Sequence, residues 1–203
     1  MGFAIALPSL ATLLALIYGC AGLRAGQEVQ AGRTALQTGR PGDAVAYLTR
    51  AAELDPTYRI HWRLREGVLT YLGRAYYETG KYDEARRTLE KALARDKDDQ
   101  LARLYLGLTA LRSGERERGR QDAESGLRGI HAWLHDVSSD ELSGIFWDPG
   151  RQIRTEIQTT LSPKLPDLDF IASAERVGRL LDEEIDKASR DEARTRYRTG
   201  GDS

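Results

Sequence analysis

A short pattern of glycine and small or apolar residues occurs three times between residues 32 and 126, and it constrains the fold more than any other feature of the chain. Each copy begins with a glycine, has a second glycine seven residues later, and continues with small or apolar residues separated by four and three positions. The copies comprise Gly32, Gly39, Ala44, Leu48 and Ala51; Gly73, Gly80, Ala85, Leu89 and Ala92; and Gly107, Gly114, Gly119, Ala123 and Gly126. Such a repeat predicts stacked helical hairpins, because each hairpin buries its apolar face only against its neighbours and leaves an extended surface for binding.

The second glycine of each copy indicates where a first helix ends. Gly39, Gly80 and Gly114 suit the left-handed backbone conformation that terminates many helices, because glycine has no Cβ to clash there. Periodic segments rich in alanine and arginine dominate the rest of the chain, whereas the β-branched runs typical of strands are few. The sequence therefore predicts an all-α protein.

The middle copy carries Leu72-Gly73-x-x-Tyr76 followed by Ala85-x-x-x-Leu89, and the first copy ends in Pro56. These residues resemble the signature of the tetratricopeptide repeat (TPR) family, and the resemblance extends over roughly residues 25–133. It implies a short right-handed solenoid of about three TPR-like helical hairpin repeats with C-terminal capping helices. The repeat region is expected to span 21–133, with copies at approximately 25–58, 66–99 and 100–133.

Two departures from a regular repeat lead to further predictions. Gly119 and Ala123 stand where the family has alanine and a larger residue, so we expect the second helix of the third copy to be the weakest. The first glycines of copies one and two are 41 residues apart, seven more than the 34 between copies two and three. Because seven residues make about two helical turns, the surplus predicts that one helix spans Tyr58 to Glu78, with an apolar stripe formed by Trp62, Leu69 and Tyr76.

Composition and motifs argue against several classes of function. The formal net charge is −1, with 30 Lys and Arg against 31 Asp and Glu, so the chain creates no long-range positive field that would attract nucleic acid. It contains no nucleophile elbow, Walker loop, Cys-x-x-Cys pair or dinucleotide-binding glycine string. We therefore predict a protein that is not an enzyme, needs no cofactor and acts by binding a protein partner.

The first 20 residues resemble a bacterial lipoprotein signal peptide. Residues 1–23 contain no charged side chain, an apolar stretch covers residues 11–17, and small residues surround Cys20, which is the only cysteine. The resemblance implies cleavage before Cys20 and acylation of that residue. An ordinary signal peptide and an uncleaved membrane anchor are the alternatives, since about 20 apolar residues suffice to span a bilayer.

Each of these alternatives brings the repeats to a membrane, so we expect an adaptor of the cell envelope that helps to assemble or scaffold an envelope complex. Ala21 and Gly22 follow the cysteine, where the lipoprotein rule places an aspartate in proteins retained at the inner membrane. The resemblance therefore implies the outer membrane, facing the periplasm, in a host with two membranes.

The C-terminal third predicts short helices and a linker over 134–166, an amphipathic helix over 167–198 and a loose tail over 199–203. Ser138-Ser139-Asp140-Glu141 resembles a capping box that opens a short helix reaching about Ile145. Asp148 and Pro149 predict the N-cap and first residue of another helix. The long helix has a stripe of apolar residues at helical spacing, namely Phe170, Ala174, Val177, Leu181 and Ile185. Covering the end of the third repeat is the simplest role for these helices.

A partner-binding groove is expected on the concave face of the solenoid. By analogy with the repeat family, this face includes Arg33, Arg74 and Tyr77 of the first two copies. The third copy contributes a leucine stripe, which a partner's amphipathic helix can bind: Leu104, Leu108 and Leu111. The chain's own helix over 169–186 is the alternative occupant, because its tether gives it a high effective concentration. A permanently filled groove would make the protein a structural spacer.

A pair of histidines suggests a second alternative function, that of a metal- or ligand-binding envelope protein. His131 and His135 are four residues apart on one helical face, and Asp136 is adjacent. This spacing can ligate a metal ion. No further histidine or cysteine lies nearby in the sequence, so packing between the repeats and the C-terminal helices is the simpler interpretation.

Two other groups in the C-terminal third are candidates for binding. Phe146 and Trp147 predict either an anchor for a partner or a contact that holds the C-terminal helices against the last repeat. Arg151 and Arg154 could bind an acidic ligand, although exposed arginines commonly make only weak ion pairs.

Overall fold

A computed structural model describes residues 10–60, 66–140, 144–163 and 165–200 of the chain. These residues form eight α-helices and one short 3-10 helix, Gly144–Phe146, and include no strand. The helices are α1 (Leu10–Gln37), α2 (Pro41–Leu54), α3 (Val68–Glu78), α4 (Tyr82–Arg95), α5 (Gln100–Arg112), α6 (Arg116–Ser138), α7 (Gln152–Thr160) and α8 (Asp167–Gly200).

Helices α1 to α6 form three hairpins, α1–α2, α3–α4 and α5–α6, and each hairpin packs on the next. The turns contain Gly39, Gly80 and Gly114 at φ angles of 71°, 74° and 90°, which confirms the predicted left-handed turns. The repeated alanines and leucines of α2 and α4 are buried, as the pattern requires. The architecture is therefore the predicted all-α array of TPR-like hairpins, followed by C-terminal helices.

The second helix of the third hairpin, α6, is 23 residues long, and the expectation that it is the weakest stays a prediction. A Cβ added to Gly73 would meet the Leu89 side chain, whereas one added to Gly107 would meet the backbones of Gly119 and Ala123. Small residues thus let the α5 and α6 backbones come closer together than those of the earlier hairpins. The expectation assumed that two helices pack poorly where no large side chain lies between them. Helices whose backbones lie closer together also make contact.

The predicted helix from Tyr58 to Glu78 is wrong at its described residues before α3, because residues 58–60, 66 and 67 are not helical. Helix α3 begins only at Val68, and an isolated antiparallel bridge joins Arg59 to Gly67 before it. Gly67 has an extended backbone and is the N-cap of α3. The described residues on either side of 61–65 are thus joined by a bridge and are not helical, and residues 61–65 lie outside the described part of the chain. Leu69 and Tyr76 are half-buried, and Trp62 lies outside the described residues.

The connection between α6 and α7 also differs from the prediction. Ser138 is the last residue of α6 and Ser139 is its C-cap, so these serines do not open a new helix; Glu141 lies outside the described residues. Helix α7 begins at Gln152, after Arg151. Asp148 is therefore not the N-cap residue, yet its carboxylate accepts hydrogen bonds from the backbone N–H groups of Ile153 and Arg154, at 3.0 and 3.2 Å.

Helix α8 begins at Asp167, and its predicted apolar stripe from Phe170 to Ile185 is buried. It reaches Gly200, so the first two residues of the expected tail are helical. Helix α7 packs against α6 and α8, whereas α8 itself crosses to α5 and α1. The two C-terminal helices thus have different positions: α7 covers the last hairpin, and α8 lies across the first helices of the hairpins.

Cys20 lies within α1, which is continuous from Leu10 to Gln37. The described side chains that α1 contributes to the core begin at Ala25. Within the described ranges, no helix combines the length and the apolar character needed to cross a membrane.

Candidate functional site

The groove floor is formed by the first helices of the three hairpins, and it carries two buried arginines. Arg33 of α1 and Arg74 of α3 each follow the crossing glycine of their repeat and are each 1% exposed. The guanidinium of Arg33 lies 5.4 Å from the ring centre of Tyr71, and that of Arg74 lies 5.4 Å from the ring centre of Tyr105. Because desolvating a guanidinium is costly, two such groups require counter-charges at the same place.

Helix α8 supplies the main counter-charge, through Asp182. Its carboxylate pairs with Nη1 of Arg74 and lies 3.6 Å from Nη2 of Arg33, and all three side chains are at most 2% exposed. Asp186, one turn further along α8, accepts a hydrogen bond from Arg33 at 2.7 Å. Glu78 of α3 completes the set with a 2.8 Å bond from Arg74 Nε. One carboxylate of α8 thus joins the first two hairpins electrostatically.

A second polar contact holds the middle of α8. The Tyr77 hydroxyl donates to Glu175 Oε1 at 2.6 Å, and Arg112 of α5 donates to the same oxygen at 3.2 Å. Between this contact and Asp182, Gly178 lies against Tyr105, where an added Cβ would be only 3.1 Å from the ring carbon Cζ. The absence of a side chain at residue 178 therefore lets α8 lie close to α5.

The structure places the six predicted partner-binding residues in two groups. Arg33, Arg74 and Tyr77 contact α8 directly, so the chain's own helix occupies this part of the groove, as the alternative interpretation held. The predicted leucine stripe is not exposed, since Leu104, Leu108 and Leu111 are between 0 and 8% accessible. Two of these leucines approach α6 instead, because Gly126 lies against the backbone of Leu104 and Gly119 lies against Leu111. Because the residues of α6 at these positions are small, the leucine stripe of α5 lies where α5 and α6 cross.

Buried polar atoms that make no hydrogen bond lie near the ion pairs. Among the described residues, four buried side-chain atoms make no hydrogen bond: Arg33 Nε, Glu66 Oε2, Tyr71 Oη and Asp182 Oδ1. Burial, together with the nearby carboxylate of Asp99, raises the pKa of Glu66 to about 8. Burial also raises the pKa of Asp99, although Thr70 donates a hydrogen bond to it. Each unsatisfied buried atom costs about 1–3 kcal/mol, so α8 fits this part of the groove imperfectly.

The three residues of the alternative metal site do not come together. His131 and His135 line a cleft between α6 and α7, whereas Asp136 lines a different cleft with Glu66 and Trp133. No group of three histidine, cysteine, aspartate or glutamate residues suited to a metal ion exists in the part of the chain that the structure describes.

Phe146 and Trp147 follow α6, and one of their two predicted roles was to hold the C-terminal helices against the last hairpin. The contacts of Trp147 agree with that role. Trp147 is fully buried, and its ring meets that of Trp133 of α6 edge to face, with centres 5.2 Å apart. The next residue, Asp148, donates its backbone N–H to Glu184 of α8 at 2.6 Å. These contacts hold the loop before α7 against both the last hairpin and α8.

Sequence reasoning identified the arginines of the groove but missed the acidic residues that pair with them. The pattern of the last helix points to its apolar stripe alone and does not single out Glu175, Asp182 and Asp186. A signal was present in the sequence, because Gly178 and Asp182 are one turn apart beside the apolar stripe. A glycine and a carboxylate flanking a buried stripe indicate a close and charged contact.

Comparison with known families agrees with this geometry. A family model described as a tetratricopeptide repeat matches residues 35–111, from the end of α1 to α5. The matched segment includes the whole second hairpin. No curated protein sequence matches the chain.

Proposed function

We propose that this protein is a membrane-attached adaptor that binds a helical segment of a protein partner in its concave groove, within the cell envelope. The observation that supports this proposal is that the groove already holds an amphipathic helix, α8, through Arg33, Arg74 and Tyr77. Helical hairpin arrays commonly bind other proteins through such extended surfaces. A groove that accepts one helix in cis has the shape and the charges to accept a similar helix in trans.

The groove selects for acidic helices. Asp182 and Asp186 are separated by one turn and face Arg33, and Glu175 lies about two turns earlier, facing Tyr77 and Arg112. A partner helix with carboxylates at these spacings and an apolar stripe beside them would reproduce the contacts of α8. A neutral or basic helix would leave Arg33 without a carboxylate and Arg74 with Glu78 alone, so such helices are rejected.

Exchange between α8 and a partner is favoured by one feature and opposed by another. Arg33 Nε and Tyr71 Oη, which are buried and make no hydrogen bond, lower the stability of the self-bound state. The tether acts in the opposite direction, since a short linker keeps α8 at a local concentration on the order of millimolar. We therefore propose that α8 closes the groove until a partner with a better polar match competes for it.

Gly178→Val tests this competition without changing a groove residue. The valine side chain would clash with Tyr105, so we expect α8 to leave the groove while the hairpins stay folded. The measurement is fluorescence anisotropy of a labelled peptide with the sequence of residues 167–190, which should bind the variant at least about tenfold more tightly than the wild type. Ala172→Val, on the exposed side of α8, is the matched control and should bind as the wild type does.

Specificity and folding are checked in the same experiment. A peptide in which Asp182 and Asp186 are replaced by lysine should not bind either protein. Circular dichroism shows whether the variant keeps its helices. A folded Gly178→Val protein that binds neither peptide would mean that the groove does not accept helices in trans.

A structural spacer is the second candidate function, and the burial of α8 favours it. Phe170, Ala174, Val177, Leu181 and Ile185 are each at most 1% exposed, so the helix contributes a full apolar face to the core. If this interpretation is correct, Gly178→Val unfolds the whole protein instead of opening it. The thermal transition of the variant, compared with that of Ala172→Val, therefore separates the two functions.

The membrane attachment that we propose depends on Cys20. Cleavage before Cys20 would leave Cys20–Gln37 of α1, including all of its described core side chains. We place the protein at the outer membrane, facing the periplasm, in a host with two membranes. The hairpins would then face partners that are confined to the envelope.

The intact mass of protein extracted from host membranes is expected to correspond to a chain that begins at Cys20 and carries acyl groups. Cys20→Ala should remain unacylated and keep residues 1–19, because the residue that directs processing is missing. A full-length, unmodified mass for the wild type would contradict the lipoprotein proposal and indicate an uncleaved N-terminal segment. Mass spectrometry of both proteins from the same membranes decides between these results.

A further inference from the structure

The structure brings together two groups of residues that the sequence analysis considered separately. The two histidines of α6 and two arginines at the start of α7, Arg151 and Arg154, line one cleft of about 220 Å³. Its six lining residues are His131, His135, Arg151, Arg154, Thr155 and Gln158. None of them belongs to the groove that holds α8, so the cleft has no part in the proposed adaptor function.

Helical spacing explains why these side chains meet. His131 and His135 are one turn apart on α6, and Arg151, Thr155 and Gln158 follow one another at about one-turn intervals along α7. The two helices pack against each other, so the two rows face across the cleft. Gln158 bridges them, with its side-chain nitrogen 3.4 Å from His131 Nε2.

Hydrogen-bond donors dominate the lining, and no carboxylate is among the lining residues. Guanidinium, imidazole, hydroxyl and amide groups all donate hydrogen bonds. Two acidic residues beside α7 have other partners: Asp148 pairs with Arg154 at 2.9 Å, and Glu156 accepts bonds from Ser173 and Arg176. Asp136, next to His135, lines a different cleft. The charge of Arg154 is thus balanced, whereas Arg151 has no ion pair among the described residues, which leaves the cleft positive.

Arg151 is held in an unusual backbone conformation. Its φ angle is 56°, in the left-handed region that residues with a Cβ rarely adopt, and Asp148 at 46° is similar. Such strain is retained where surrounding contacts determine it, and it is concentrated at ligand-binding positions. Here the buried Asp148 carboxylate and the Arg154 guanidinium, which also donates to Ser138 at 3.0 Å, keep the loop rigid. The strained loop presents an unpaired cation at the cleft.

We propose that this cleft binds a phosphate group, carried by a soluble phosphate ester or by a lipid headgroup. A metal ion is excluded by the donor set, because guanidinium groups repel cations and only two of the lining residues can ligate a metal. A phosphate has oxygens in tetrahedral directions and can accept bonds from both helices, whereas a carboxylate offers two oxygens in one plane. Arg151 supplies the charge, and the imidazoles of His131 and His135 supply further donors.

The test follows the imidazole signals of the ¹⁵N-labelled full chain in neutral bicelles. The protein has three histidines, and single His131→Ala and His135→Ala variants assign the two that matter. Inorganic phosphate is the probe, titrated against chloride at equal ionic strength. We expect both imidazole signals to shift saturably with phosphate and not with chloride.

Arg151→Gln should weaken the apparent affinity by about tenfold, as expected for the loss of one charge-assisted hydrogen bond. Arg87→Gln removes the same charge from an exposed arginine of α4 and should have no effect. Circular dichroism verifies that both variants are folded. Equal phosphate affinity in the wild type and Arg151→Gln would overturn the proposal.

Bicelles that contain phosphatidic acid, without free phosphate, distinguish the two sources of the phosphate group. A shift in these bicelles that is lost in Arg151→Gln assigns the cleft to a lipid headgroup. A shift with inorganic phosphate alone assigns it to a soluble ester. The absence of a shift under both conditions would refute phosphate binding at this cleft.

Discussion

Asp182→Ala is expected to lower the free energy of unfolding by about 3–5 kcal/mol, because removing one member of a buried ion pair leaves its partners charged and desolvated. Two arginines depend on this carboxylate, Arg33 and Arg74, and both are 1% exposed. Asp186 and Glu78 still pair with one arginine each, so they reduce the loss without abolishing it. Urea denaturation followed by circular dichroism measures the effect.

Two further variants make this prediction specific. Asp186→Ala removes a carboxylate that is 22% exposed, and we expect a loss of only about 1 kcal/mol. The combination Arg33→Met, Arg74→Met and Asp182→Leu removes all three charges together and should recover most of the stability, since apolar residues often replace a buried ion pair without loss. If Asp182→Ala is as stable as Asp186→Ala, the two guanidinium groups do not depend on Asp182.

Gly107→Ala is expected to destabilise the protein by about 2–3 kcal/mol, although alanine is a better helix former than glycine. The added Cβ would clash with the backbone nitrogen of Ala123 and lies 2.6 Å from the backbone oxygen of Gly119. Backbone atoms within a helix cannot rotate away, so α5 and α6 must separate. The measurement is again the free energy of unfolding in urea.

Gly73→Ala is the matched control, because Gly73 occupies the same position of the second repeat. Its Cβ would meet the Leu89 side chain, 2.5 Å from Cγ, and a leucine can change rotamer. We expect a loss of no more than about 1 kcal/mol, since the gain in helix propensity offsets part of the strain. Equal losses for the two variants would contradict the conclusion that the third hairpin has the closer backbones.

The sequence predicted the hairpins well because their determinants are local. A glycine at the end of a first helix and small residues where two helices cross are read from short spacings, and Gly39, Gly80 and Gly114 all adopt the predicted turns. The same local reasoning failed for the residues that precede α3. Seven additional residues fit two helical turns, but the same length is compatible with the bridge between Arg59 and Gly67, and helical phase does not distinguish the two arrangements.

The candidate site was predictable only in part, because its contacts join distant segments. The positions of Arg33 and Arg74 in the repeats predict that both lie in the groove. No short sequence pattern predicts that both pair with Asp182. The apolar stripe of α8 was visible, whereas the choice between a cap and a groove ligand depended on how α8 lies on the hairpins. The cleft between α6 and α7 was missed for the same reason, since His135 belongs to α6 and Arg151 precedes α7.

The position of α8 has a consequence for the order in which the protein is made. The hydrogen bond from Arg33 to the backbone oxygen of Asp182 spans 149 residues, and the one from Arg74 to the Asp182 carboxylate spans 108. The N-terminal hairpins leave the ribosome well before residue 182 is translated. Until then, Arg33 and Arg74 are hydrated and the groove is open. We expect products that terminate before α8 to keep folded hairpins but an open groove, in which Arg33 and Arg74 lack the contacts with Asp182. Occupation of the groove is thereby coupled to completion of translation.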